Sequence, residues 1–218
     1  MVKGVIFDND GVLVDSERYR FLSFKEYLET QGVSFSNEQF YPPMGRPGQT
    51  ILASFYPHAS PEEIEQMIED VSKIFLERYL HEVPLVPGIR EFIDVLRAQQ
   101  IPMVVVSNGV RRNVEPLLAR HNIDLELITI EDFTIPKPHP AGYLVALGRL
   151  GTPPTDTVVF EDSQIGIRSA RKAHIPCIGV ETHLSEDALL EAGAYASIAD
   201  FTDTKRILGL LSAPAQKR

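Results

Sequence analysis

The chain has no tryptophan, one cysteine and few basic residues. With Cys177 as its only cysteine, an internal disulfide is excluded. Its apolar neighbours Ile178 and Val180 mark it as a small core residue rather than a nucleophile. No apolar run approaches the ~20 residues that a membrane-spanning helix requires, so no membrane partner is expected. Met1-Val2-Lys3 runs into a strand-like segment without a signal pattern, and the expected compartment is the cytoplasm. Lys and Arg number 21 against 30 Asp and Glu, a net charge of -9. Nucleic-acid backbones bind concentrated basic faces, so no nucleic-acid partner is expected, and any anionic ligand must be small and neutralised locally. His58, His81, His121 and His174 are scattered without metal-ligand spacing, and His139 is read as shaping a turn. The length of 218 residues and 44% hydrophobic content fit one large domain, or a core with a modest insertion.

Short runs rich in β-branched residues alternate with helical patterns. Residues 2–7, 103–106, 157–160 and 177–180 read as strands, and 125–130 as a weaker one. Between them, residues 88–99, 110–121, 140–150 and 165–173 carry apolar side chains at helical spacing, such as Ile89, Phe92, Ile93 and Leu96. This alternation predicts an α/β fold, a Rossmann-like doubly wound parallel sheet with helices on both faces. Residues 185–193 and 202–211 read as two surface helices around the short segment Ala196-Ser197-Ile198.

Residues 16–85 break the rhythm. They show two helical patterns and no convincing strand, with Tyr41-Pro42-Pro43-Met44-Gly45-Arg46-Pro47-Gly48 as a loop between them. Ser60-Pro61-Glu62-Glu63 predicts a capping box with Pro at the first helical position, followed by an apolar stripe of Ile64, Met67, Ile68, Val71, Ile74 and Phe75. The expected organisation is a core of residues 1–15 and 86–218 with a helical cap of residues 16–85. The connections fall near Val14-Asp15-Ser16 and Pro84-Leu85-Val86-Pro87.

The first strand ends in Asp8-Asn9-Asp10-Gly11. Two carboxylates at the end of a buried strand repel each other and lose hydration, so a divalent cation is the expected companion, and one acid is free to attack or to move a proton. An ordinary Asp-Gly turn explains the same residues. Ligands of an open parallel sheet sit outside the carboxyl ends of its strands, where distant residues converge. Three further segments fall there: Ser107-Asn108-Gly109, Lys137 in Pro136-Lys137-Pro138-His139-Pro140, and Glu161-Asp162-Ser163. Each alone reads as a turn, a solvated charge or a helix cap.

Together, in this order, the four segments resemble the motifs of the haloacid dehalogenase (HAD) superfamily, over nearly the whole chain. The stretch Glu161 to Ala170 is similar to the branch holding β-phosphoglucomutase, phosphoglycolate phosphatase and sugar-phosphate phosphatases, where a helical cap follows the first motif. The resemblance implies that Asp8 is a nucleophile forming an aspartyl-phosphate and that Asp10 is the general acid and base. It implies Mg²⁺ held by the Asp8 carboxylate, the Asp10 carbonyl and the Asp162 carboxylate, with Glu161 behind them. Ser107, Asn108 and Lys137 would hold the phosphoryl group. Dehalogenation needs no second aspartate, and Asp10 sets it aside.

The reading that results is a Mg²⁺-dependent phosphatase of a small phosphorylated metabolite, a sugar phosphate or a phosphorylated organic acid. A β-phosphoglucomutase-like mutase is the alternative, and a phosphoaccepting receiver-like domain the non-enzyme one. A histidine of the mutases is replaced by Arg20, and their cap arginine falls near Gly48, with Arg46 two positions away and Lys73 at a candidate cap lysine. Arg20 is expected to line the cap entrance and draw in anionic substrates, or else to be solvated at the hinge.

Overall fold

The computed structural model describes residues 2–36 and 47–212. Arg46, with the rest of 37–46, lies outside the described residues. Six strands form one sheet: β1 Gly4–Phe7, β2 Met103–Val106, β3 Glu126–Ile128, β4 Thr157–Glu161, β5 Cys177–Val180 and β6 Ala196–Ile198. Their order is β3-β2-β1-β4-β5-β6 and every pairing is parallel. This is the doubly wound sheet expected from the sequence.

Side chains alternate between two cores, one on each face of the sheet. Val5 and Phe7 join one cluster, and Ile6 between them joins the other. Both faces are covered, which is why β1 reads as a continuous apolar run. The first core is organised by four fully buried rings: Phe7 stacks on Phe160 at 5.4 Å, and Phe92 and Phe201 meet at 5.3 Å. Truncating one such ring to alanine costs about 3–5 kcal/mol.

The helices of the sheet layers are α4 Ile89–Ala98, α5 Arg111–Arg120, α6 Ala141–Leu150, α7 Gln164–Lys172, α8 Glu186–Ala192 and α9 Thr204–Ser212. The segment at 196–198 is a sheet strand, in register with β5 through Ile178↔Ala196. The two terminal helices lie at the surface as expected, each burying one apolar face, Leu189 from α8 with Ile207 and Leu211 from α9. Short length hid the strand, and helices of 7 and 9 residues leave the burying face little room to show a period.

Between β1 and α4 the described residues form three helices, α1 Glu17–Thr30, α2 Gly48–Phe55 and α3 Pro61–Ile74, followed by a π-helical turn Phe75–Tyr79. The sequence pattern showed two; α2 starts where the Pro- and Gly-rich loop was read. The capping box at Ser60 and Glu63 forms as expected. Phe24, Leu28, Leu52, Ile68 and Val71 make a hydrophobic cluster for these helices. The chain enters and leaves the unit side by side, where Val14 bridges Leu85 antiparallel and the Asp15 N–H donates to the Pro84 carbonyl at 3.0 Å.

Candidate active site

β1 and β4 are neighbours, and the chain leaves them on opposite sides of the sheet, so a crevice opens at their carboxyl ends. The Asp8 N–H donates to the Phe160 carbonyl at 3.0 Å, which carries the β1–β4 pairing one residue further. Asp8 is thereby set against the end of β4, which supplies Glu161 and then Asp162. Gly11 makes the return turn possible. Its φ is +73°, and a Cβ there would lie 2.0 Å from Asp162 Oδ2. Glycine is required both by the backbone and by the acid packed on it.

Lys137 enters from the loop before α6. Its Nζ lies 2.7 Å from Asp8 Oδ1, 2.7 Å from Glu161 Oε1 and 3.1 Å from the Val106 carbonyl, so all three ammonium donors are used. The Asn108 side-chain oxygen accepts from the Lys137 N–H at 3.1 Å and holds this loop against the end of β2. The Tyr143 ring lies under the ammonium at 4.9 Å, and its hydroxyl donates to Glu161 Oε1 at 2.6 Å. Glu161 is 0% exposed. Its other oxygen accepts from the Ser163 N–H at 3.3 Å and the Ser163 hydroxyl at 3.0 Å. Every side of that carboxylate is occupied by protein.

Burial, reinforced by Glu161, pushes the Asp8 carboxyl up to about 8 although Lys137 opposes the shift. Burial, then Glu161 and Asp8, raises Asp162 well above the usual carboxylate range. For Lys137 burial works against the charge, but Asp8 and Glu161 outweigh it and raise the ammonium. One carboxylate oxygen from each of Asp8, Glu161 and Asp162 lies within 4.8 Å of the others. Fully ionised, three acids around one ammonium would carry two net negative charges, the charge that one divalent cation balances. An all-oxygen donor set suits a hard ion of the magnesium kind.

Asp10 is half-buried, and the Ser16 hydroxyl donates to its Oδ1. Ser107, at the end of β2, is buried and accepts from the Gly109 N–H at 2.9 Å. The structure thus brings Asp8, Lys137, Glu161 and Asp162 into direct or near contact, with Ser107, Asn108 and Asp10 on the adjoining loops. Arg20 is neither solvated nor a free cation. Its side chain is 20% exposed and pairs with Glu17 at 2.9 Å. Lys73 is 72% exposed beside Glu77 and lies away from this centre. His139 shapes its turn as expected, through Nδ1 at 3.3 Å from the Ala141 N–H.

Sequence reasoning passed over Tyr143, Ser16, Glu17 and Asn9. Tyr143 sits on an amphipathic helix, where an aromatic reads as core, and only the fold places its hydroxyl on Glu161. Ser16 and Glu17 follow the first strand-end segment closely, which was the available signal.

Acids on two adjacent strand ends, with a buried lysine between them at the reversal of a parallel sheet, define a doubly wound α/β enzyme. Residues 5–180 match the model of the haloacid dehalogenase-like hydrolases, and the chain belongs to that family. It is similar to a validoxylamine A 7'-phosphate phosphatase of Streptomyces hygroscopicus subsp. limoneus, 28% identical over 94% of this chain and 97% of that one. A phosphorylated carbohydrates phosphatase of Thermotoga maritima is 30% identical over 90% of this chain and 94% of its own. The structure of CbbY from Rhodobacter sphaeroides in complex with phosphate is 26% identical, with a TM-score of 0.80 over 93% of this chain and 96% of that one.

Proposed function

We propose that this protein is a Mg²⁺-dependent phosphatase that hydrolyses a small phosphorylated metabolite through an aspartyl-phosphate on Asp8. The observation that carries the reading is the position of Asp8: at a strand end, 2.7 Å from the buried Lys137 and beside two further acids. The names of the similar phosphatases point to the same chemistry. In this reading residues 1–15 and 86–218 are the core and 16–85 the cap that covers the reacting groups.

Mg²⁺ would be held by the Asp8 and Asp162 carboxylates and the Asp10 carbonyl, and would supply charge shielding between the nucleophile and the phosphoryl oxygens. Glu161, whose oxygens all accept from Lys137, Tyr143 and Ser163, orients the lysine and stays behind the ligands. One Asp8 oxygen attacks phosphorus and the bond to the leaving oxygen breaks. Asp10 protonates that oxygen, then takes a proton from the water that cleaves the aspartyl-phosphate. Ser16 orients the Asp10 carboxyl for both transfers. Ser107 would hold the phosphoryl oxygens as charge develops, and Lys137, whose three donors the protein engages, would stabilise them through its charge, with Asn108 fixing the lysine loop.

A screen of phosphorylated metabolites for phosphate release, with and without Mg²⁺, tests the reading. Release that depends on Mg²⁺ and disappears with chelator is expected. Primer-dependent conversion of β-glucose 1-phosphate to glucose 6-phosphate, faster than phosphate release, would favour the mutase instead.

A further inference from the structure

The cavity between the carboxyl ends of β1 and β2 and the inserted helices contains two amides whose hydrogen bonds the described residues do not complete. Asn9, between the two aspartates of the first strand end, lines this cavity and is 1% exposed, yet neither Nδ2 nor Oδ1 has a partner among the described residues. Its backbone carbonyl is fully used, accepting from the N–H groups of Val12, Leu13 and Val14, so the loop that carries the side chain is fixed. Asn113, on α5, lines the same cavity. Its Nδ2 lies 3.1 Å from the Ser72 hydroxyl of α3, and its Oδ1 is buried without a partner among the described residues. Exchanging the two ends of that amide still leaves one of them unpaired.

A buried amide that lacks both a donor's and an acceptor's partner destabilises the fold and gains most from a ligand that supplies both. A hydroxyl group does so, since it donates once and accepts twice, whereas a carboxylate or phosphate only accepts. The rest of the lining suits the same ligand. Phe24, Val71, Val114 and Leu117 offer apolar surface for C–H faces. The cationic Arg20 has its charge met by Glu17, and Asp10 brings a carboxylate to the cavity. A second anionic group would meet an arginine already engaged by Glu17.

We propose that Asn9 and Asn113 are specificity residues that read hydroxyl groups of the leaving alcohol, so that the substrate is the phosphate monoester of an uncharged polyhydroxylated alcohol, a sugar or a polyol. The inference rests on the phosphatase reading and narrows it away from phosphorylated organic acids and bisphosphates.

The test compares, in the Mg²⁺-supplemented full chain, kcat/KM for ribitol 5-phosphate, n-pentyl phosphate and a phosphorylated five-carbon aldonic acid. Ribitol 5-phosphate should exceed the pentyl ester by about 10²-fold or more, because a site built for hydroxyls leaves its amides unpaired when they are missing. It should also exceed the aldonate ester. Asn9→Leu and Asn113→Leu should each shrink the ribitol-to-pentyl ratio at least about fivefold, mainly by raising KM for the polyol ester, and should not lower Tm. Asn113→Leu stands away from the nucleophile and carries the test if Asn9→Leu does not fold. An unchanged ratio in the folded variants, a lowered Tm with no change in the ratio, or a preference for the aldonate ester would overturn the proposal. Phosphate release from none of the three esters, nor from an aryl phosphate, would overturn the phosphatase reading itself.

Discussion

The carboxylate of Glu161 occupies the space that a side chain at Gly166 would fill: a Cβ there would lie 1.7 Å from Oε1. That carboxylate is also the anchor of Lys137, Tyr143 and Ser163. Gly166→Ala therefore has to displace a buried charge from its partners rather than a mobile chain end. The expected loss is about 3 kcal/mol or more of unfolding free energy, in the range for a broken buried ion pair. Urea denaturation measures it. A variant as stable as the parent would mean that Glu161 has another comfortable position.

Asp8→Asn should reduce phosphate release by about 10⁴-fold or more while the protein stays folded, because the amide keeps the shape and is not a nucleophile. The same change removes one of three crowded acids, so in metal-free solution near neutral pH the variant should unfold at a Tm no lower than the parent's. Retention of a large part of the activity would refute the covalent route through Asp8.

Asp10→Asn should slow turnover by about 10²–10⁴-fold, the usual contribution of a positioned acid or base. The first step should suffer much less for an aryl phosphate, whose leaving oxygen needs little protonation, than for a sugar phosphate. Single-turnover measurement of that step separates the two. Equal losses on both esters would count against Asp10 as the acid.

The raised Asp8 carboxyl has a pH signature. With a folded value of about 8 against an ordinary 3.8, the folded metal-free protein holds a proton that the unfolded chain has released throughout that interval. Stability then falls as pH rises across it. Asp162 is shifted in the same direction and adds to the slope. Lys137 is raised from its ordinary 10.5 and loses its contribution only above that, outside the window. Mg²⁺ binding has to displace these protons, so Tm in chelator should decline with pH while the gain from Mg²⁺ grows and levels off above about 8. A gain in Tm that stays constant with pH would contradict this coupling.

Much of the layout was legible because strand ends in a parallel sheet are punctuated. An apolar run that stops at Asp8, or at Glu161, announces both the strand and the polar group beyond it. α2, β6 and the burying faces of α8 and α9 were not legible, because three-residue strands and short helices carry too few turns of period to stand out. Arg20 shows a different limit. Its charge reads from the sequence as an anion trap or a solvated hinge residue, and only the tertiary structure shows it lining the cavity and paired with Glu17.

The order of residues by itself determined that Asp8 and Asp162 stand at strand ends, since hydrophobic period and chain direction fix which end of a strand a polar residue follows; Lys137, expected at a strand end too, lies nine residues beyond the end of β3 in the loop before α6. Tertiary structure alone decided that Lys137 spans Asp8 and Glu161 at 2.7 Å each, that Tyr143 closes the pair from below, and that Asn9 and Asn113 line the same cavity with amide atoms unpaired among the described residues. Those relations join residues 24 to 129 positions apart in the first two contacts. Distance and burial, which set the strength of every charge and hydrogen bond here, exist only once the sheet has closed.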